Sequence, residues 1–587
     1  MEFFEWLTDI GNRYVAELGF TVNGETIPYM VILLLGTGIF LTLRLGLIQL
    51  RRLGHGFAVT SGKYDDPDEP GDVSHFQALT TALSATVGIG NIAGVAIAIH
   101  WGGPGALFWM WVTAALGMAT KYTEVTLAQK YRNVEATEGH AWEGTVSGGP
   151  MYYIEKGLGP RWKWMAVLFA VLLGLTAFLT GNAIQANTVA DTMRSTFGIP
   201  VWATGVLTSA IVAAVILGGI TRIGRVTSIL APFMAAIYVL GALVILSLNA
   251  AHVFPAFGLI FREAFNPTAG VAGTGVGAFL VTMMWGVRRG LFSNEAGQGS
   301  APIAHAAAKT DEPVSEGVVA LLEPFVDTLV ICTMTGLVII TTGVWSARHP
   351  TEIVLSGGDL GYVRIDEEGS HRGIVAPPEL VFEDGIPARS DEEHWVAWHD
   401  VAVEELYVDP EMQEEFTGVV RPEEAVAIAA DGTRYASLWG MASESGAPLT
   451  QEAFTRGLSP LAPWGGSIVV FAVLLFALST AISWSYYGDR CANYLLGSHA
   501  VLPYKFAFVV MHFIGAVLPL TTIWNLGDIF LSMVIVPNLI ALILLSPQVV
   551  AETKSYFARK PWLENAEKHK RVQAEKRAER HRDGPRR

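Results

Sequence analysis

Two hydrophobic stretches long enough to cross a bilayer are interrupted halfway by glycine and polar residues. The first runs from about Ala78 to Ile99 and is interrupted at Val87, Gly88, Ile89, Gly90 and Asn91. The second runs from about Gly275 to Ala308 and is interrupted at Trp285 and Gly286, then at Gly290, Asn294, Glu295, Ala296 and Gly297. A helix broken inside hydrocarbon leaves amides and carbonyls unpaired, each costing several kcal/mol unless something polar meets it. Paired interruptions in two halves of a membrane protein therefore point to the substrate site of a secondary transporter.

The membrane reading rests on composition as well. Of 587 residues, 51% are apolar and only 16% charged, where a soluble chain carries about a quarter charged residues. The apolar residues gather in stretches of about 20, the length of a spanning helix, and the mean hydropathy is +0.39. The net charge of −15 is local. Between His349 and Gln451 there are 22 acidic residues against five arginines, a balance of −17, so the remainder is near neutral. The acidity belongs to one inserted region, read as a solvated surface domain. Cys332 and Cys491 lie in or beside hydrophobic segments and form no disulfide framework or zinc spacing. No metal cluster, phosphate loop or nucleophile–base pattern is present, so neither an enzyme nor a resident cofactor is expected.

Eleven spans are predicted, at about 28–50, 77–99, 104–129, 163–185, 201–220, 227–249, 274–307 (broken), 317–344, 464–487, 503–521 and 524–547. Residues 144–160 are expected to form a short amphipathic or re-entrant piece. The N-terminus lacks a basic n-region and cleavage site, so the first hydrophobic stretch is expected to be a retained span. Arg44, Arg51, Arg52 and Lys63 follow the first span, Lys130, Arg132, Lys156 and Arg161 the third, and Arg222 and Arg225 the fifth. Twelve Lys and Arg follow Glu552. Eleven spans put these segments on one side, which the positive-inside rule makes cytoplasmic. The N-terminus and the acidic insertion then lie outside, in a prokaryotic cell membrane. The expected division is 1–346 and 456–550 for the membrane body, 347–455 for the insertion and 551–587 for a basic cytoplasmic tail. Within the insertion, Gly361 to Ile365 reads as a short strand, and Trp395, Trp398 and Tyr407 as seeds of a small core. The tail from about Ser555 reads as a mixed-charge helix or a disordered segment.

Gly88 and Gly90 are where a backbone can unwind without Cβ clashes. The half-helix that follows points amides at the break and suits a carboxylate, while the carbonyls left behind suit sodium or ammonium. Close packing of small residues explains the same glycines equally, since Gly90 and Gly94 fit a small-xxx-small pattern. In the second segment Trp285 could cap a pocket and Gly286 could let a ligand approach. Ser293, Asn294, Glu295 and Gln298 are residues that a purely structural membrane helix avoids. Glu124, Glu323, Asp327 and Asp528 are candidates for a gate network or proton relay. Lys121 beside Glu124 suggests a local pair, and His100 and His305 read as structural residues near helix ends.

The resemblance to a known family rests on longer segments. Gly102 to Gly117 (beginning GGPGALFWMW), Gly149 to Tyr153 (GPMYY), Arg289 to Gly297 (RGLFSNEAG) and Ser483 to Gly488 (SWSYYG) resemble the alanine or glycine:cation symporter family. The insertion is longer than that family's pattern. The resemblance implies an all-α integral membrane protein with a LeuT-like, five-plus-five inverted-repeat core preceded by one extra helix. Core helices one and six would then be the two broken segments. It further implies that amides near Ile89 and Gly90 bind the substrate carboxylate, while Asn91 contacts it or helps hold sodium. Carbonyls near Ser84 and Val87 would bind sodium with hydroxyls among Ser479, Thr480 and Ser483, although each hydroxyl can equally bond its own helix. Gln185 would meet the substrate or make an interhelical hydrogen bond. Trp285 and Trp484 would limit pocket size, and Asn294 and Glu295 would support the second break or serve as a gate.

The expected function is a symporter coupling sodium to uptake of a small neutral amino acid, alanine first and glycine second. Its partners are that amino acid, sodium and the lipid bilayer, with no nucleic acid and a monomer assumed. A proton-coupled symporter and a non-transporting amino-acid sensor are the alternatives.

Overall fold

The first hydrophobic stretch does not run straight to residue 50. In a computed structural model, Tyr29–Arg44 (α1) bends by 78° into Ile48–Thr60 (α2), turning at Gly46 and Leu47, both with positive φ. The structure describes residues 18–571 except 23–24, 67, 135–145, 268–275, 356–359, 366–370, 376–378, 389–393, 399–400, 403–404, 423, 443–444, 463 and 519.

His75–Thr86 (α3) starts at a capping box, with Ser74 and Gln77 satisfying each other's backbone amides. It stops at Val87, and after a π turn over Gly90–Gly94 the chain continues as Val95–Gly102 (α4), bent by 54°. Ala106–Tyr131 (α5) and the short Pro150–Leu158 (α6) follow, the latter where a short piece was expected. Lys163–Phe178 (α7) passes through a π turn at Leu179–Ala183 into Ile184–Phe197 (α8). Val201–Ile216 (α9) and Gly219–Leu248 (α10) match predicted spans, and Ala250–Phe265 (α11) lies between two of them. Val276–Asn294 (α12) and Ala301–His305 (α13) flank the second break. Pro313–Ala320 (α14), Leu322–Pro324 (α15), a π stretch Phe325–Cys332 and Thr333–Thr342 (α16) make one apolar rod. After the insertion come Gly446–Leu458 (α17), Ser467–Leu496 (α18), Val501–Val517 (α19) and Leu520–Arg559 (α20).

Among the described residues, six helices are long and apolar enough to span a membrane, or eight if each bent pair is one span. The expected eleven included helices that fall outside this measure for a physical reason. α5 carries Lys121, Glu124 and a series of threonines, all buried against other helices rather than facing lipid. α10 is the opposite case: Ile229, Phe233 and Leu240 are more than half exposed, as suits a face turned to hydrocarbon.

Polar contacts gather the segments after α2, α5 and α13 with the tail at one end of the body. Lys130 pairs with Glu552 at 2.7 Å, the two terminal guanidinium nitrogens of Arg559 reach Glu312, and Lys568 meets Asp66 at 3.1 Å. The chain beyond Ser555 is helical to Arg571 apart from a turn at 560–561.

The insertion is built of antiparallel strands. Leu360–Ile365 forms a strand, as Gly361 to Ile365 suggested. His349–Val354 pairs with Ser437–Ala442 in full register, from His349 opposite Ala442 to Val354 opposite Ser437. Among the described residues its core consists of Ile353, Leu380, Phe382, Leu406, Phe416 and neighbours. Tyr407 is partly exposed and donates to Glu405, and the side chains of Trp395 and Trp398 lie outside the described residues.

Candidate functional site: the two helix breaks

At the first break the chain turns on an asparagine. Asn91 Oδ1 accepts from the Gly88 amide at 2.9 Å, and the Asn91 amide donates back to the Gly88 carbonyl at 3.2 Å. Both glycines are needed for close approach. A Cβ on Gly88 would lie 2.6 Å from Thr480 Oγ1, and one on Gly90 would lie 3.0 Å from the Phe292 ring. Ile89 and Gly90 open the π turn, where leading amides lack an acceptor within the helix.

The other side of the break is a cluster of neutral oxygens. The Ser84 carbonyl accepts from Ser479 Oγ and Thr480 Oγ1, both at 3.2 Å, and the Ala85 carbonyl accepts from Thr480 Oγ1 at 3.1 Å. Ser479 also bonds the Phe476 carbonyl on its own helix at 2.9 Å. The hydroxyls of Ser84 and Ser483 are buried and have no hydrogen-bond partner. Val87 is buried at the C-cap of α3. Hard, uncharged oxygens with orphaned hydroxyls among them are a donor set that fits a monovalent cation. Gln185 joins from α8. Its Nε2 donates to the Thr180 carbonyl at 3.2 Å, and its buried Oε1, without a partner, lies 3.6 Å from where a Gly88 Cβ would be.

Asn91 donates inward as well. Its Nδ2 lies 2.6 Å from Asp327 Oδ1 and 3.0 Å from Ser293 Oγ, and Ser293 and Thr328 both donate to Asp327 Oδ2 at 2.7 Å. Thr335 and Thr450 bond the Asn91 and Ile92 carbonyls at 2.8 and 3.0 Å. The Asn91 side chain is thus spent within the protein. Through these bonds it holds the turn.

The second break is shorter than the sequence suggested. α12 continues through Trp285, Gly286 and Gly290 to Asn294, and helical structure is lost only over 295–300. Gly286 serves packing, since its Cβ would fall 2.4 Å from the Ala106 carbonyl oxygen on α5. Trp285 stacks on Trp101 at 5.5 Å, at the far end of α4 from the break, so the structure does not bring it to Gly88. Substituting Gly286→Ala is expected to push α12 off α5 and destabilise the protein by about 1–3 kcal/mol. Gly258, which has open space around it, should accept alanine without loss; thermal melting of both variants checks the contrast.

Within 295–300, Glu295 adopts φ of +55° and Gly297 and Gly299 have φ of +93° and +79°. Only a well-held non-glycine residue persists in that region. Glu295 Oε1 accepts from Trp484 Nε1 at 3.0 Å and Oε2 from Ser300 Oγ at 2.5 Å. Asn294 Oδ1 accepts from the Ala296 amide at 3.0 Å. Trp484 packs against the α7–α8 junction, where a Cβ on Gly181 would be 2.3 Å from its ring. It therefore ties α18 to that junction and to the second break. Lys121 does not pair with Glu124. It bonds Glu323 at 3.0 Å, while Glu124 is taken by Asn538 at 2.6 Å. Phe292, Thr335 and Thr450 were not singled out from sequence; only Phe292, inside the RGLFSNEAG run, carried a signal.

A model of the sodium:alanine symporter family matches residues 13–358 and 419–572. The sodium/alanine symporter AgcS of Methanococcus maripaludis is 42% identical over 90% of this chain and 94% of its own length. An uncharacterized transporter of Haemophilus influenzae is 39% identical over 90% and 93%. The putative sodium/proton-dependent alanine carrier protein YrbD of Bacillus subtilis is 31% identical over 93% of each. Among solved structures, MhsT in complex with L-phenylalanine aligns with a TM-score of 0.48 at 12% identity, covering 85% of this chain and 96% of that one.

Proposed function

The chain belongs to the sodium:alanine symporter family, and on that premise we propose that it is a secondary active symporter coupling sodium entry to uptake of a small neutral amino acid. Alanine is the first candidate and glycine the second. The observation that carries this reading is the oxygen cluster beneath the first break, where the Ser84 carbonyl meets the Ser479 and Thr480 hydroxyls. Sodium is cargo at this place, taken by those three oxygens, with Ser483 and the Val87 carbonyl completing the set. The substrate carboxylate sits at the amides of Ile89 and Gly90, and Gln185 faces the same turn. Trp484 and Phe292 close the space and favour a small side chain. Asn294 and Glu295 keep the opposing break open.

Coupling follows from sharing one turn. Sodium orders the end of α3, and the amino acid binds the backbone that starts two residues later, so each raises the other's affinity for one closed state. Motion of the broken helices against the rest then exposes the pair to the other side. In this reading the N-terminus and the insertion lie outside, the tail lies in the cytoplasm, and the monomer is the working unit.

Labelled-alanine uptake into proteoliposomes tests it. Accumulation should follow an inward sodium gradient and fail when potassium replaces sodium. Equal uptake driven by a pH gradient alone would replace sodium by the proton, and binding without accumulation would make the chain a sensor. Thr480→Val is expected to raise the sodium concentration for half-maximal uptake by about tenfold or more, the loss of one oxygen from a charged ligand. An unchanged sodium dependence would remove Thr480 from the site.

A further inference from the structure

The end of the body where the tail docks holds a buried line of titratable side chains that the proposed site does not use. His75 on α3 bonds Glu316 on α14 through Nδ1. The other oxygen of Glu316 lies 2.5 Å from Nδ1 of His305, on α13. Nε2 of His305 lies 2.7 Å from Glu323 on α15, whose second oxygen takes Lys121 of α5 at 3.0 Å. All five side chains are at most 3% exposed.

His305 is the member whose geometry demands a proton. A neutral imidazole has one N–H and one lone pair, and an ionised carboxylate only accepts. Both ring nitrogens of His305 face carboxylate oxygens at hydrogen-bond distance. A neutral ring would turn its lone pair on one of them; an imidazolium donates to both. The charge balance agrees: Lys121 and His305 as cations match Glu316 and Glu323, and His75 needs only an Nδ1–H. Without the extra proton the line carries one uncompensated buried negative charge, a costly state.

We infer that the Glu316–His305–Glu323 triad is a proton-binding site whose proton holds this end of the protein closed and is released when α13 separates from α14 and α15. The inference rests on the transporter reading above. The triad joins the segment after the second break to the rod beside it, and through His75 it also grips the start of the first broken helix. Moving the second broken helix, which carries His305, tears the imidazolium from both carboxylates, so opening favours loss of the proton. The surroundings act on both ends of the line. Asp65 and Glu69 face His75, and Arg132, bonded to the carbonyls of Ala306 and Ala308, faces Glu316 along with Asp72 and Asp311. Glu124 and Glu295 act on Lys121, Tyr487 lies near Glu323, and Gln129 donates to the His305 carbonyl.

The sign is fixed by linkage. The closed state binds the proton more tightly than the open one, so acid favours closure and slows turnover, by at most about tenfold per pH unit for one proton. At a constant sodium gradient, alanine uptake into proteoliposomes should fall at least fivefold between about pH 9 and pH 6, the range a partnered histidine can span. His305→Gln should flatten this profile, and His305→Lys, a permanent cation, should be slow throughout. Glu316→Gln, which removes one of the two carboxylates, should shift the profile to lower pH. Correct folding is checked by sodium-dependent alanine binding and by melting. Wild-type uptake constant over this range would overturn the inference even if every variant failed to fold, as would a folded His305→Gln or Glu316→Gln with the wild-type profile. Absence of uptake at every pH would instead overturn the transporter reading.

Discussion

Asn91→Ala is expected to lower alanine uptake by at least about 100-fold while the protein still inserts and folds, a loss equal to about 2.7 kcal/mol. Two buried groups lose their partners together. The Gly88 amide loses its acceptor, and Asp327 loses a donor at 2.6 Å. Each unsatisfied buried group costs about 1–3 kcal/mol, more where it is charged, and the cost falls on the turn that carries both proposed ligands. Asn91→Asp keeps the acceptor but sets a second carboxyl against Asp327, so it should also fail. Uptake by Asn91→Ala within threefold of wild type, at equal protein per liposome, would show that the turn holds its shape without the asparagine.

Lys121→Met is expected to cost about 3–5 kcal/mol of stability, the usual penalty for breaking a buried ion pair from one side. Methionine fills much the same space, so the loss is electrostatic: Glu323 keeps only His305, and the line of charges becomes net negative. Adding Glu323→Gln removes the stranded charge and should recover more than half of the loss. Melting in detergent, followed by size-exclusion chromatography, reads both effects. If the double variant melts no higher than Lys121→Met, the lysine is held by packing and not by its charge.

Several of these features were legible in the sequence, and the reasons differ residue by residue. The first break could be placed because Asn91 joins Gly88 and Gly90 inside an apolar run, and close packing explains the glycines but not the asparagine. The second was stretched too far because glycine in a membrane helix has two uses, unwinding and close approach. Gly286 and Gly290 press α12 against α5, whereas Gly297 and Gly299 unwind, and a one-letter code does not separate them. Glu295 was visible as an anomaly; its tie to Trp484 was not, because the two are 189 positions apart. Lys121 shows the same limit. Local spacing favoured Glu124, but pairing followed the fold to Glu323, 202 positions away. α11 falls outside the predicted spans because its 16 residues, interrupted by Pro255, are fewer than a bilayer crossing needs.

The paired strands His349–Val354 and Ser437–Ala442 mean that the chain leaves the helical body and returns to it at neighbouring points. Seen from α16 and α17, residues 355–436 between the two strands are mechanically the loop of a hairpin, whatever they contain. Lengthening such an excursion adds only a slowly growing closure entropy and leaves the spacing of the helices unchanged. The family match, interrupted between 358 and 419, falls silent within this excursion. The body thus presents a graft point: the inserted domain can be enlarged, exchanged or replaced by a reporter there without asking the surrounding helices to move.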